Sequence, residues 1–166
     1  MAATLSQPQD LMAHQLGEML YVERALAEEV LPQLRQEVGD QQLRKGIDAH
    51  LEQTREHARN LEKAFDLLGL PAQEQRSPAL EGLKEAHDQM ASQISGPALL
   101  DVFDAEAAAK TEHLEIASYK GLMTMAEQMG MTEVRDLLAT NCRQEEQTLQ
   151  ELEGMTTTLT QQLGRA

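Results

Sequence analysis

The sequence has no tryptophan, two tyrosines, two phenylalanines and a single cysteine among 166 residues. With aromatics at only 2%, the core has to be built from Leu, Ala, Met, Val and Ile. That palette, mixed with abundant Glu, Gln, Lys and Arg, favours helix. The lone Cys142 excludes an internal disulfide. Valine is scarce, apolar and polar residues do not alternate, and neither Asn-Gly nor Asp-Gly occurs, so there is no strand or hairpin signal. No apolar run approaches the roughly 20 residues that span a bilayer, and no membrane partner is expected. The opening MAATLSQPQD lacks the basic stretch and apolar segment of a secretory signal, which makes a cytoplasmic location the expectation. Positive charge is also short. Fourteen Lys and Arg stand against 28 Asp and Glu, for a net charge of −14. Such a surface repels phosphate backbones, so no nucleic-acid partner is expected, while cations are drawn to it weakly and without specificity.

What is present is a globular share of hydrophobic residues, 41%. The chain is long enough for one compact domain over residues 1–166 with a real core. Helix punctuation is legible. Ser6 serves as a cap, Pro8 sits in the first turn, and Gln9 completes a Ser-x-x-Gln capping box. Apolar positions 16, 19, 20, 26, 27, 30 and 31 follow at helical spacing, and Pro32 inside this pattern predicts a kink. Gly39-Asp40 ends the first helix and caps the second, which runs from about 41 to 68. Ser77-Pro78 starts a shorter helix to about 93. Ser95-Gly96-Pro97 starts the third long helix, which reaches Met129, and after Gly130 a cap at Thr132 opens the fourth, to about Leu163. Two tight hairpins joined by a long connection give an all-α fold, a ferritin-like four-helix bundle whose crossover carries a short fifth helix.

The two hairpins hide a repeat. At a rise of about 1.5 Å per residue, positions equidistant from a turn lie level. Pairing about the first turn sets Glu23 level with Gln53; pairing about the second sets Glu115 level with Glu145; both intervals are 30 residues. One inward oxygen donor per helix at a common height makes a cage that is unfavourable in an apolar interior unless it is neutralised. Divalent cations neutralise it, and bundle di-metal sites use such an arrangement, with a Glu from two helices and a Glu-x-x-His pair from the other two. His50 lies one turn from Gln53, and Glu112 one turn from Glu115. The candidate ligands are therefore Glu23, His50, Gln53, Glu112, Glu115 and Glu145. Carboxylates suit iron or manganese, as one or two ions, and His adds a borderline ligand.

Each residue also has an ordinary reading. Most of the 28 acidic residues face water, and a Glu at any given height is usually solvated. His50 and His57, taken singly, read as helix-surface residues. Tyr119 reads as a packed ring with its hydroxyl on a neighbouring carboxylate. Cys142 and the cluster Met123, Met125, Met129 and Met131 read as core filler. Val102, Phe103 and Leu114, left over on outer faces, point to a subunit contact and favour a dimer.

The segment TEHLEIASYKGLMTMAEQMG resembles the YciE/YciF family of bacterial ferritin-like proteins, whose members carry E-H-x-E-I-A-S-Y followed by A-E-Q-L-G. Glu112, His113, Glu115, Ile116, Ala117, Ser118 and Tyr119 match the first segment, and Ala126, Glu127, Gln128 and Gly130 the second. YVERALAEEVLPQL, HLEQT and RQEEQT resemble its other helices, so the likeness runs in register over nearly the whole chain. The resemblance implies a ferritin-like bundle, usually a homodimer, with a rubrerythrin-like di-metal site and a link to bacterial stress responses. It implies metal roles for Glu23, Glu112, Glu115 and Glu145, with His50 beside them. Gln53 departs from the family's His-Leu-Glu-Glu-Thr, and Thr148 stands where a Glu-x-x-His pair needs His. If iron is bound, the expected chemistry is ferroxidase- or peroxidase-like. The alternative is a structural or partner-binding helical-bundle dimer with a degenerate, empty site. Hydrolase or transferase chemistry has no support, since the chain lacks a Gly-rich phosphate loop, G-x-S-x-G and H-E-x-x-H.

Overall fold

A computed structural model describes residues 4–165. Helix α1 (Pro8–Ala25) passes through a wide π turn (Leu26–Val30) into α2 (Leu31–Glu37); α3 (Gln41–Leu67), α4 (Pro78–Ala91), α5 (Pro97–Gln128) and α6 (Thr132–Leu163) follow. There is no strand among the described residues. The rod formed by α1 and α2 packs on α3 and α5, and α6 closes the square by packing on the same two helices. Residues 68–96 cross from the end of α3 to the start of α5, and their helix α4 lies on α5. The fold is the expected ferritin-like bundle, with each long helix ending within a residue or so of its predicted limit.

Three local readings are corrected. Asp10, not Gln9, completes the first cap: its Oδ2 accepts from the backbone N–H of Ser6 and of Gln7, at 3.0 Å each. Thr132 is the first residue of α6 rather than its cap. Pro32 does not act by a simple kink. The turn before it is widened, so that Leu31 N–H donates to Leu26 C=O five residues back. In a regular helix the proline ring would strike the carbonyl four residues earlier, and the π turn carries that carbonyl aside.

Other predicted punctuation holds. Asp40 Oδ1 accepts from Gln42 N (2.8 Å) and Leu43 N (2.9 Å) to cap α3. Gly130 takes φ +72 at the α5–α6 turn, where Met131 N–H reaches back to Ala126 C=O at 2.8 Å. This backbone conformation carries no Cβ penalty only for glycine. The crossover is pinned by a close approach at Gly17, whose carbonyl accepts from Gln75 N–H at 3.0 Å. A Cβ there would lie 2.5 Å from the Gln73 carbonyl oxygen.

Two apolar cores fill the bundle. One lies toward the α5–α6 turn and includes Leu16, Leu61, Phe65, Leu122, Leu138 and Cys142. The other lies toward the α2–α3 turn and includes Leu26, Leu34, Leu43, Ile47, Ala105 and Leu152. Val102 belongs to this second core, and Phe103 lies under α4, stacked on His87 at 5.3 Å between centroids. Both were expected, with Leu114, on an outer, subunit-facing surface; instead Val102 is buried in this core, Phe103 lies under the crossover helix, and Leu114 packs half-buried against the same core. Between the two cores lies a polar layer.

Candidate metal centre

Six side chains from four helices meet in that layer: Glu23 from α1, His50 and His57 from α3, Glu112 and Glu115 from α5, and Glu145 from α6. Helix periodicity puts them on inward faces. His50 and His57 are two turns apart on the stripe that also buries Thr54 and Leu61, while Glu112 and Glu115 are one turn apart beside Ile116 and Tyr119. The ligand atoms form two groups, each with all its members within 4.8 Å: His50, Glu112, Glu115 and Glu145 in one, Glu23, His57 and Glu145 in the other. Glu145 is common to both.

The distances within the cluster are short. His57 Nδ1 lies 2.7 Å from Glu145 Oε1 and 3.5 Å from Glu23 Oε1. His50 Nε2 lies 3.2 Å from Glu112 Oε1, and its Nδ1 3.9 Å from Glu145 Oε2. Yet the atoms are aimed past one another. Ten buried side-chain nitrogen and oxygen atoms lack a hydrogen-bond partner among the described residues, and eight of them belong to these six side chains. Leaving a buried polar atom unpaired costs about 1–3 kcal/mol, and more when it is charged. Beyond the His57–Glu145 and His50–Glu112 ion-pair contacts, groups this close that leave so many atoms unpaired are disposed like ligands around a common centre.

Electrostatics carries the same message. Burial raises the pKa of Glu23, Glu115 and Glu145, and the mutual repulsion of the carboxylates adds to it. Burial likewise pushes Glu112 up to about 7. Burial opposes a charged His57, but Glu145 and Glu23 outweigh it and push its pKa up to about 11. Without a cation, the cluster holds protons to limit its own charge.

A shell of uncharged groups orients the ligands. The Tyr119 hydroxyl donates to Glu23 Oε1, and Asn141 Nδ2 donates to the Tyr119 oxygen at 3.0 Å. Asn60 Nδ2 continues the chain outward to Asn141 Oδ1 at 2.8 Å. His57 Nε2–H donates to Gln144 Oε1 at 2.7 Å, which leaves Nδ1 to face the carboxylates. Thr148 Oγ1 lies 3.4 Å from His50 Nδ1. Such outer contacts fix the ring orientation and tautomer of ligating side chains.

The structure thus brings Glu23, His50, Glu112, Glu115 and Glu145 together. Gln53 lies half-buried on the wall of a side cavity that His50 and Thr148 also line, with no hydrogen bond to the cluster among the described residues. His57 is the residue the sequence reading missed: it is fully buried, not on the helix surface. Its signal was the seven-residue spacing from His50 along the buried stripe of α3, hidden by a search for carboxylates at one level.

Comparison with known proteins now adds a family. The profile of a family described as a domain of unknown function, DUF892, matches residues 7–163. The chain belongs to this family. Protein YciF of Escherichia coli strain K12 is 28% identical over 141 residues, covering 84% of each chain. The solved structure of the E. coli stress protein YciF superposes with a TM-score of 0.88 at 26% identity, covering 95% of this chain and 99% of that one. YcfI of Rhodopseudomonas palustris, described as a candidate structural protein, also gives 0.88, at 28% identity over 92% and 97% of the two chains. A Xanthomonas campestris protein shares the fold at 19% identity, with a TM-score of 0.71 over 93% and 94%. The YciE/YciF likeness read from the sequence is therefore correct, and this DUF892 chain carries a buried Glu/His group able to hold a metal ion.

Proposed function

We propose that the polar layer is a two-cation centre, and that the protein is a metal-binding ferritin-like protein using iron or manganese. The observation that carries this reading is the set of eight unpartnered buried atoms on six side chains, divided into two ligand groups that share Glu145. The donor set fits hard or borderline divalent cations: four carboxylates and two imidazoles, with no thiolate. Four carboxylates carry a charge of −4, which two divalent cations neutralise. In this assignment His50, Glu112 and Glu115 would hold one ion and Glu23 and His57 the other, with Glu145 available to both. Gln53 stands at the edge as an uncharged neighbour.

Bound iron or manganese would supply one-electron redox chemistry, of the kind used in ferroxidase and peroxide-reducing reactions. The chain's own contribution is positional. Tyr119 and Asn141 hold Glu23, and Gln144 fixes the His57 ring. The hydrogen-bonded series Asn60, Asn141, Tyr119 and Glu23 links the layer to the half-buried side of α3. The two apolar cores exclude water from above and below.

The experiment is elemental analysis after anaerobic loading with Fe(II) or Mn(II) and exhaustive dialysis. About two ions per chain are expected, by analogy with bundle carboxylate sites, and Glu115→Ala should lose the ion of the His50 group, leaving about one. Wild-type protein that retains no metal would overturn the reading. A second reading, a structural bundle with a degenerate site, draws on Thr148 in place of a fourth-helix histidine and on the description of YcfI. A role in stress responses, like the description of YciF, and the homodimer implied by the family resemblance belong to either reading.

A further inference from the structure

A cavity of about 410 Å³ lies between the π turn, α4 and α5. Its walls are chiefly apolar, with Leu26, Leu31, Leu34, Leu80, Leu83 and Phe103 among them. At its inner end are His50 and Glu112. These are the only two members of the six-residue cluster with residual exposure, 6% and 3% of their side chains; Glu23, His57, Glu115 and Glu145 are at 0%. This edge of the polar layer meets the cavity, as it does the smaller side cavity beside Gln53 and Thr148, and the other four side chains are sealed. The size falls within the ~300–1,000 Å³ usual for small-molecule sites. We infer that this cavity binds a neutral, largely apolar organic molecule and seats it against the His50–Glu112 edge of the polar layer.

Charge selects the ligand class. Two charged pairs on the walls are matched within the chain, Lys84 Nζ to Glu29 Oε2 at 2.9 Å and His87 Nε2 to Asp104 Oδ1 at 2.9 Å, while Asp104 Oδ2 and Glu112 Oε2 keep no partner among the described residues. Lys110 Nζ stands 5.9 Å from the centroid of the Phe103 ring. The rim adds Glu37, Asp88 and Glu106, all exposed, on a chain of net charge −14. An anion is repelled by this rim and by the carboxylates of Asp104 and Glu112 on the walls, and a small ion would exchange its hydration largely for leucine side chains. A neutral apolar body loses little water of value and gains contact with the walls. The π turn contributes directly, since Leu26, Glu29 and Val30 within the widened backbone line the cavity.

This inference rests on the metal reading only at the inner end, so the test separates the two. N-phenyl-1-naphthylamine, neutral and fluorescent in apolar surroundings, is titrated into metal-free protein beside 8-anilinonaphthalene-1-sulfonate, which has the same ring system plus a sulfonate. The neutral probe should saturate at one site per chain, with the sulfonate at least about ten-fold weaker. Ala107→Trp and Leu83→Trp, which fill the cavity from opposite walls, should each weaken the neutral probe by about ten-fold or more with an unchanged melting temperature. In Co(II)-loaded protein the bound probe should be quenched relative to the Zn(II)-loaded form. Non-saturable binding, equal binding of the sulfonate, or indifference to both tryptophans would overturn the site. An unquenched probe with Co(II) demonstrably bound would overturn its seat against the layer. If no Co(II) is retained, the metal reading fails and the cavity stands or falls on the titrations alone.

Discussion

The first hairpin, α1 to α3, brings one carboxylate and two imidazoles to the centre of the bundle; the second, α5 and α6, brings three carboxylates and no nitrogen. The backbone frame is the same in both, a pair of long antiparallel helices with a tight turn. What differs is which inward positions carry which donors. The difference teaches that the internal repeat is a repeat of geometry and not of chemistry. The layer is balanced only when the halves pack, because three carboxylates facing one another across a dry interior would repel or protonate.

The comparison can be broken most sharply at Glu145, the one residue in both ligand groups. Under Glu145→Gln both ions should be lost, with elemental analysis of the dialysed protein falling from about two ions per chain to almost none. Retention of a full complement would show that the second hairpin does not supply the bridge. The first hairpin's nitrogen comes next. His57→Gln should leave about one ion per chain, held by the His50 group, since the other group then keeps only two carboxylates. If that variant still binds two ions, the division of donors between halves is wrong.

Tyr119→Phe probes the contact between hairpins, because the hydroxyl from α5 orients Glu23 on α1. Loss of an orienting group of this kind typically costs 10–100-fold in metal affinity, so competition against a chromophoric chelator should report a shift of about that size. An unchanged affinity would reduce the tyrosine to packing.

The smallest effect is on the metal-free protein. Burial and three neighbouring carboxylates hold Glu115 well above its ordinary range, and burial pushes Glu112 up to about 7. A carboxyl with a raised folded-state pKa keeps its proton after the unfolded chain has released its own. The unfolded state then binds fewer protons, and stability falls as pH rises from about 4.5 through the folded value. Metal-free protein should thus melt at lower temperature at pH 7.5 than at pH 5.5. Glu115→Gln should flatten that slope and raise the melting temperature at pH 7.5, by the equivalent of about 1–3 kcal/mol. A melting temperature that instead falls in the variant would mean that the carboxylate is satisfied without a cation.

Much of this was legible before any coordinates. The caps, prolines and glycines marked the helices because each acts locally, through one hydrogen bond or one backbone angle. Three of the six clustered ligands, Glu23, Glu115 and Glu145, could be found from heights along the helices, because rise per residue is nearly constant, and His50 and Glu112 from lying one turn from a level position. His57 could not, because a search for level carboxylates has no reason to stop at an imidazole one turn away. Val102 and Phe103 were misplaced for a related reason. Periodicity says which residues share a face, but not what will cover that face, and here α4 covers Phe103 from the crossover while the second core takes in Val102.

The sequence alone determined the helices, their order, the hairpin pairing and the level at which acid would gather, because these follow from local backbone chemistry and the fixed geometry of the α-helix. Only the tertiary structure decided that His57 faces inward, that Glu145 stands in both ligand groups, and that one edge of the layer opens on an apolar cavity. Those outcomes depend on the rotation of each rod about its axis and on where the crossover lies, and both are set by how the side chains of four helices fill one shared interior.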